Sequence, residues 1–316
     1  MNEFELIHHI KEKHGLSRVG DDCAVLPKDD KLDLVVTADM LVEEIDFRLE
    51  WTTAEHLGHK ALAVSLSDIA AMGATPKWAM LSIAIPQDLW KKGFLDAFYD
   101  GWHKLAAQYN VELVGGDISR SPDKFVIDSI VAGEVPNGEA VLRSTAQPGD
   151  AIFITGTLGG AAGGLSALRA GTRQPSANPH EEKLLLRQLR PSPRVHAGES
   201  ARTLGASAMI DISDGLSSDL AHICSASRVG AIIDSELLPI DPGIASVDIP
   251  ADRAVDFALH GGEDFELLIT VPPKKISGFT ERAFTRIGDI TPNADVIELR
   301  AAGKSLPLIP KGYRHF

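Results

Sequence analysis

Cysteine is scarce in this 316-residue chain, and the 2 present, Cys23 and Cys224, stand too far apart for a metal-ligand spacing. A disulfide framework is thereby excluded, and a reducing compartment fits. The 11 histidines are scattered, so no His/Cys cluster competes for zinc. Basic charge is also short. Against 44 acidic residues there are 31 Lys and Arg, a net charge of -13, whereas a nucleic-acid surface needs surplus cations to meet phosphates. The opening Met1-Asn2-Glu3-Phe4-Glu5 mixes acids with apolar residues and lacks the basic start and apolar core of a secretion signal, so the chain is expected to stay in the cytoplasm. Only residues 151–168 reach membrane-spanning length without a charge, yet they hold five glycines and several hydroxyls. That composition suits a strand, a glycine turn and a helix better than a membrane span.

Familiar catalytic signatures are missing too. The glycine-rich residues 156–164 lack the Gly-Lys-Ser/Thr ending of a P-loop and the spacing of a dinucleotide fold, and read first as a structural turn. No nucleophile elbow marks a reactive serine.

What the chain has is length and apolar content, 44%, enough for two packed cores. Alternating strand and helix patterns predict an α/β protein, its first half of mixed α+β character. Strands are expected at residues 32–37, 79–85, 111–114, 125–134, 151–155, 208–212 and 265–271, and helices at 4–13, 89–109, 216–227 and 252–260. Gly230 is expected to cap the helix at 216–227. The turn Gln147-Pro148-Gly149-Asp150 divides the chain into domains 1–147 and 148–316.

Acids stand where they should not. A helix beginning with a Thr52/Glu55 capping box and stopped by Gly73 and Pro76 carries Asp68 on the apolar stripe of Ala61, Val64 and Met72. Burying an unpartnered carboxylate costs several kcal/mol or more, and Lys60 is too far along the helix to pair with it. Other acids interrupt apolar runs at Gly20-Asp21-Asp22, Thr37-Ala38-Asp39, Gly115-Gly116-Asp117, Asp211-Ile212-Ser213-Asp214-Gly215 and Gly261-Gly262-Glu263-Asp264. Each alone is a weak signal. Together, Asp22, Asp39, Asp68, Asp117 and Asp211 supply the oxygen ligands that several magnesium ions require, with the Thr37 hydroxyl as an extra donor. The stripe Phe94, Phe98 and Trp102 reads as core, and Tyr99 lies off it.

These motifs, the segment Lys60-Ala61-Leu62-Ala63-Val64-Ser65-Leu66-Ser67-Asp68-Ile69-Ala70-Ala71-Met72-Gly73-Ala74 and the ending Lys311-Gly312-Tyr313-Arg314-His315-Phe316 resemble, in order and over nearly the whole chain, the thiamine-monophosphate kinase family. That family belongs to the ATP-binding superfamily of aminoimidazole ribonucleotide synthetase and selenophosphate synthetase. The resemblance implies a two-domain fold, a homodimer formed by the N-terminal domains, and ATP with several Mg2+ ions in the cleft between domains. It implies metal contacts at Asp22, Thr37, Ala38, Asp39, Asp68, Asp117, Asp211 and Asp214. Nucleotide contacts fall at Tyr99, Gly116, Asp117, Arg143 and Ser213, and acceptor contacts at Asp46, Glu263 and Tyr313. Asp68, Asp117, Arg143 and Asp211 would carry the catalysis. Two positions depart from the family: Asp46 where a His usually precedes Phe47, and Ala38 where a Thr often stands, leaving only a backbone carbonyl for metal.

The implied reaction moves the γ-phosphoryl group of ATP to thiamine monophosphate. Its acceptor is already a dianionic phosphate near neutral pH, so no general base is required. Rival expectations are a superfamily member acting on an amide or carboxylate, a metal-dependent phosphohydrolase, and a noncatalytic magnesium-nucleotide module.

Overall fold

The computed structural model describes residues 3–313 apart from 248, 283 and 295; the last three residues of the Lys-Gly-Tyr ending lie outside them. The first half runs α1 (Glu3–His14), β1 (Ala24–Pro27), β2 (Leu32–Val42), α2 (Ala54–Ala71), β3 (Thr75–Ile85), α3 (Lys92–Tyr109), β4 (Glu112–Gly115), β5 (Ile118–Arg120) and β6 (Val126–Pro136). The second runs β7 (Ala151–Thr155), α4 (Gly160–Arg169), α5 (Pro179–Leu189), α6 (Val195–Leu204), β8 (Ala208–Asp211), α7 (Leu216–Ser227), β9 (Gly230–Asp234), α8 (Pro242–Ala245) and α9 (Ala251–His260). It ends with β10 (Leu267–Val271), α10 (Ile276–Thr280), β11 (Phe284–Thr291), β12 (Ile297–Ala301) and β13 (Lys304–Pro307).

Each half forms its own mixed sheet. The first has the order β1-β2-β6-β3-β4, with β5 also pairing β3; the second has the order β13-β12-β9-β11-β7-β10-β8. Antiparallel ladders dominate, broken by parallel pairing of β3 with β4 and β5 and of β12 with β9. The expected two-domain mixed α/β architecture is what forms.

Helix α2 is the centre of the molecule. It packs on α3 and β6 from the first half and on α6 and β8 from the second, so nearly every side chain from Leu57 to Ala71 is buried. Glycine makes that closeness possible. A Cβ at Gly58 would lie 1.8 Å from the Phe98 carbonyl oxygen, and one at Gly198 would lie 2.0 Å from that of Ala70. No larger residue fits either crossing.

Because α2 is shared, the first core crosses between the halves: Phe153, Met209, Ile269 and Phe279 join Leu62, Leu66, Ile69 and Trp102. The opposite face of β7 sends Ile152 and Ile154 into a second core with Ile210, Leu220 and Ile233. Strand β7 is therefore buried on both faces, and each of its fully buried isoleucines contributes about 1.5–3 kcal/mol.

Some local expectations shift. The α2 cap is Thr53, whose hydroxyl accepts from the His56 N–H at 3.1 Å, while Thr52 only donates to the Thr53 carbonyl. Strand β2 runs past the expected 32–37 and pairs with β6 as far as Val42, opposite Val126. Arg228, in the left-handed region at φ 57, caps α7; Gly230 instead opens β9, where a Cβ would meet the Asn293 carbonyl at 2.2 Å. Helices α5 and α6 flank the irregular 190–194 segment and had no counterpart among the expected elements. Among the described residues, no helix is long and apolar enough to cross a membrane.

Candidate active site

Four chain segments deliver carboxylates to one buried place. Asp22 comes from the loop before β1, Asp39 from β2, Asp68 from the last turns of α2, and Asp211 from the end of β8. Carboxylate oxygens of Asp22, Asp68 and Asp211 lie within 4.8 Å of one another. Hydroxyls hold two of them in place: Thr37 Oγ1 donates to Asp68 Oδ2 at 2.5 Å, and Ser67 Oγ donates to Asp211 Oδ2 at 2.6 Å. Arg143 is the nearby fixed cation. Its guanidinium forks onto Asp22, with Nε at 3.2 Å from Oδ2 and Nη2 on Oδ1, while its backbone N–H donates to Asp21.

One guanidinium does not neutralise this group. Burial pushes the Asp39 carboxyl up to about 6, and the neighbouring Asp22 and Asp128 charges add to it. For Asp211 burial and then Asp22 push it up to about 8. Asp68 is driven well above the carboxylate range by burial and by Asp39, Asp211 and Asp22. Burial and Asp22 bring Asp21 to about 6. Asp39 Oδ2 is buried with no hydrogen-bond partner. Acids crowded in a low dielectric must hold protons or cations.

Beside them opens a cleft of about 1340 Å³. Seven of the site residues implied by the resemblance line it: Asp39, Asp46, Arg143, Ser213, Asp214, Glu263 and Tyr313. The Tyr313 N–H donates to the Asp214 carbonyl at 3.1 Å. Burial raises the Tyr313 hydroxyl, and the charges of Asp46, Glu263 and Asp214 raise it further, so these four stand together. Asp46 is pinned by the Val42 N–H, which donates to its Oδ2 at 2.8 Å. Glu263, at φ 64, pairs with Lys60 at 2.6 Å.

Residues 20–135 match the family described as AIR synthase related protein, N-terminal domain, and residues 147–296 match its C-terminal domain. Thiamine-monophosphate kinase of Bacillus subtilis (strain 168) is 36% identical over 328 aligned residues that cover 100% of each chain. The chain belongs to the thiamine-monophosphate kinase family. The enzyme of that name from Escherichia coli (strain K12) is 39% identical over 99% of this chain and 98% of its own. Among solved structures, one named "AaThiL complexed with AMPPCP and TMP" superposes with a TM-score of 0.89 at 34% identity, covering 100% of this chain and 97% of that one. The hydrogenase maturation protein HypE, at 18% identity and a TM-score of 0.69, shares the fold alone.

Not every residue implied by family membership gathers at the acids. Asp117 is exposed between β4 and β5, its carbonyl accepting from the Ile83 N–H at 2.9 Å. A Cβ on Gly116 would lie 1.8 Å from the Leu81 carbonyl, and Leu81 is in register with Ser129, which is in register with Asp39. Three strand steps separate Asp117 from Asp39, on the order of 14 Å. Ala38 points to the opposite face of β2 from Thr37 and Asp39 and is exposed. Tyr99 is half-buried, edge-on to Phe98 at 5.5 Å between ring centres, and lies outside the cleft lining.

Several contributors escape sequence reading. Asp219 and His222, one and two turns into α7, bring ligand atoms within 4.8 Å of Asp214. Asp219 Oδ2 accepts the Gly215 N–H at 2.9 Å, and burial followed by Arg143 lowers the His222 imidazole to about 4. The Gly-Gly-Glu-Asp motif divides its labour. Asp264 turns inward to accept the N–H groups of Gly159 at 2.6 Å and Ala161 at 3.1 Å, filling the anion site at the start of α4 with the chain's own carboxylate. The glycine-rich turn is thus structural. Two residues on, Glu266 is gripped by Arg194 at 2.5 Å and Arg187 at 3.1 Å. Burial works against its charge, but the two arginines hold its carboxyl below the usual range.

Proposed function

We propose that this chain transfers the γ-phosphoryl group of ATP directly to the phosphate of thiamine monophosphate, yielding thiamine diphosphate and ADP. The observation that carries the reading is the buried meeting of Asp22, Asp68 and Asp211 at the side of a cleft whose other wall offers Glu263 and Tyr313, in a chain whose solved relative is named as holding AMPPCP and TMP.

The donor set fits magnesium. Asp22, Asp39, Asp68 and Asp211 offer only oxygens, Thr37 adds a hydroxyl, and Asp39 Oδ2 has no protein partner. These residues would hold the ions, joined by Asp214 and the Ala38 carbonyl at the margins. Bound Mg2+ supplies charge neutralisation between two mutually repelling phosphate groups. Arg143 adds a fixed positive charge that Asp22 keeps oriented. Ser213 and Arg143, which line the cleft, would contact the nucleotide, and Gly116, Asp117 and Tyr99 are the further nucleotide contacts that the family resemblance implies. Glu263, Tyr313 and Asp46 receive the acceptor, and the acidic side chain of Asp46 suits a cationic ring. No group is needed to deprotonate the acceptor, whose phosphate is mostly dianionic at pH 7.

Residues 1–147 form the nucleotide and dimerisation domain and residues 148–316 complete the cleft. The outer face of the first sheet supports a homodimer: Ala38, Ile130 and Met80 stand in one register row, and Met40 and Ile118 are 61% and 53% exposed. Exposed apolar surface of this kind marks an interface. Two free, buried cysteines accord with a cytoplasmic protein.

A coupled assay of ADP formation from Mg-ATP tests the proposal. ADP should form only when thiamine monophosphate is present. ADP release that depends on an amine or amide instead, or phosphate release from a phosphoester without ATP, would replace the reading.

A further inference from the structure

Lys60 is 3% exposed, yet it lines the cleft. Its Nζ lies 2.6 Å from Glu263 Oε1 and donates to the Gln188 carbonyl at 3.4 Å. The other carboxylate oxygen, Glu263 Oε2, accepts from Gln188 Nε2. Both oxygens of Glu263 are therefore held, on a backbone at φ 64 that side chains other than glycine rarely adopt. A buried ammonium needs such a partner, but its place on the helix points beyond stability.

Lys60, Val64 and Asp68 fall on one stripe of α2, at i, i+4 and i+8. At 1.5 Å rise per residue, Lys60 stands about 12 Å along the axis from Asp68. Lys60 and Val64 line the cleft, and Asp68, outside its lining, meets Asp22 and Asp211. One rigid helix thus anchors the reacting end of the site directly and the acceptor end through Glu263. We infer that Lys60 is a positioning residue: it fixes the Glu263 carboxylate so that the cationic ring of the acceptor is held at a set distance from the acids where its phosphate reacts. The inference rests on the thiamine monophosphate reading above, and in it Lys60 touches Glu263 rather than the substrate.

Steady-state kinetics of wild type, Lys60→Met, Lys60→Arg and Glu263→Gln test it, with thiamine as a competitor that has the ring and lacks the phosphate. Lys60→Met should raise KM for thiamine monophosphate and the inhibition constant of thiamine by one common factor, about 10- to 100-fold. KM for ATP should change less than about threefold, and Lys60→Arg should recover most of the loss. In the double variant Lys60→Met/Glu263→Gln the loss should be no greater than in either single variant. That variant leaves no unpaired buried charge, so it is read alone if Lys60→Met does not fold. Loss of kcat with both KM values unchanged, equal increases for ATP and acceptor, or weakened thiamine monophosphate with unchanged thiamine would each overturn the inference. If the wild type forms no ADP with thiamine monophosphate, the functional reading fails and this inference with it. If it does and the KM split is absent, only the role of Lys60 fails.

Discussion

Binding of magnesium to this protein should release at least about one proton at pH 7. Without a cation, burial and its acidic neighbours push Asp68 well above the usual carboxylate range. Asp211, pushed to about 8, is roughly nine-tenths protonated at pH 7, and Asp39, at about 6, roughly one-tenth. A cation coordinated by all three requires the ionised forms, so the protons leave as it enters. The linkage has a definite sign. These raised folded-state values favour the metal-free protein below about pH 4, and that stability is lost as pH rises through 6 for Asp39 and 8 for Asp211. Stabilisation by Mg2+ should accordingly grow between pH 6 and 8. Titration calorimetry with MgCl2 in buffers of different ionisation enthalpy reads the proton count directly, and Asp68→Asn should lower it. Uptake of magnesium with no proton release, or a count unchanged by Asp68→Asn, would refute the view that these acids form one coupled, metal-receiving cluster.

Other outcomes follow from single contacts. Asp68→Asn imitates the protonated carboxyl, so metal-free stability should stay within about 1 kcal/mol while kcat falls on the order of 10²- to 10³-fold, measured by denaturant titration and turnover at saturating Mg2+. Gly58→Ala places a methyl 1.8 Å from the Phe98 carbonyl and should cost about 3 kcal/mol or more as α2 and α3 are forced apart; a melting temperature unchanged from wild type would contradict the crossing. His59 is kept neutral at about 4, chiefly by burial, with Nε2–H donating to the Pro191 carbonyl at 2.7 Å and Nδ1 accepting from Arg190 Nε at 3.3 Å. Its depressed value means stability is lost as pH falls from 6.5 toward 4, at up to about 1.4 kcal/mol per pH unit, and His59→Gln should flatten that slope in urea titrations.

How far the sequence could be read depends on how local each signal is. Asp68 announces itself because a charge interrupts an apolar stripe at helical spacing, and the same holds for Asp39 in β2 and Asp211 at the end of β8. Helix α5 also carries local marks, with Asn178 accepting from the His180 and Glu181 N–H groups and Pro179 in its first turn, so its start is legible in the sequence. The Thr52/Thr53 cap is ambiguous by nature, since adjacent threonines offer the same hydroxyl. The occupant of the glycine-rich turn, Asp264, comes from more than a hundred residues away, and the partner of Lys60 is Glu263; no local pattern reports such pairs. Asp117 looks in sequence like Asp39, an acid where a strand run breaks, and only the strand order separates the two by a sheet's width.

The most direct test follows the phosphoryl group itself. ATP carrying 18O at its nonbridging γ-oxygens is turned over with thiamine monophosphate and Mg2+, and the products are examined by 31P NMR and mass spectrometry. The account predicts that the whole label arrives in the terminal phosphoryl group of thiamine diphosphate, mole for mole with ADP. Label recovered in free phosphate, or thiamine diphosphate lacking it, would contradict direct transfer between two phosphates held against the buried acids.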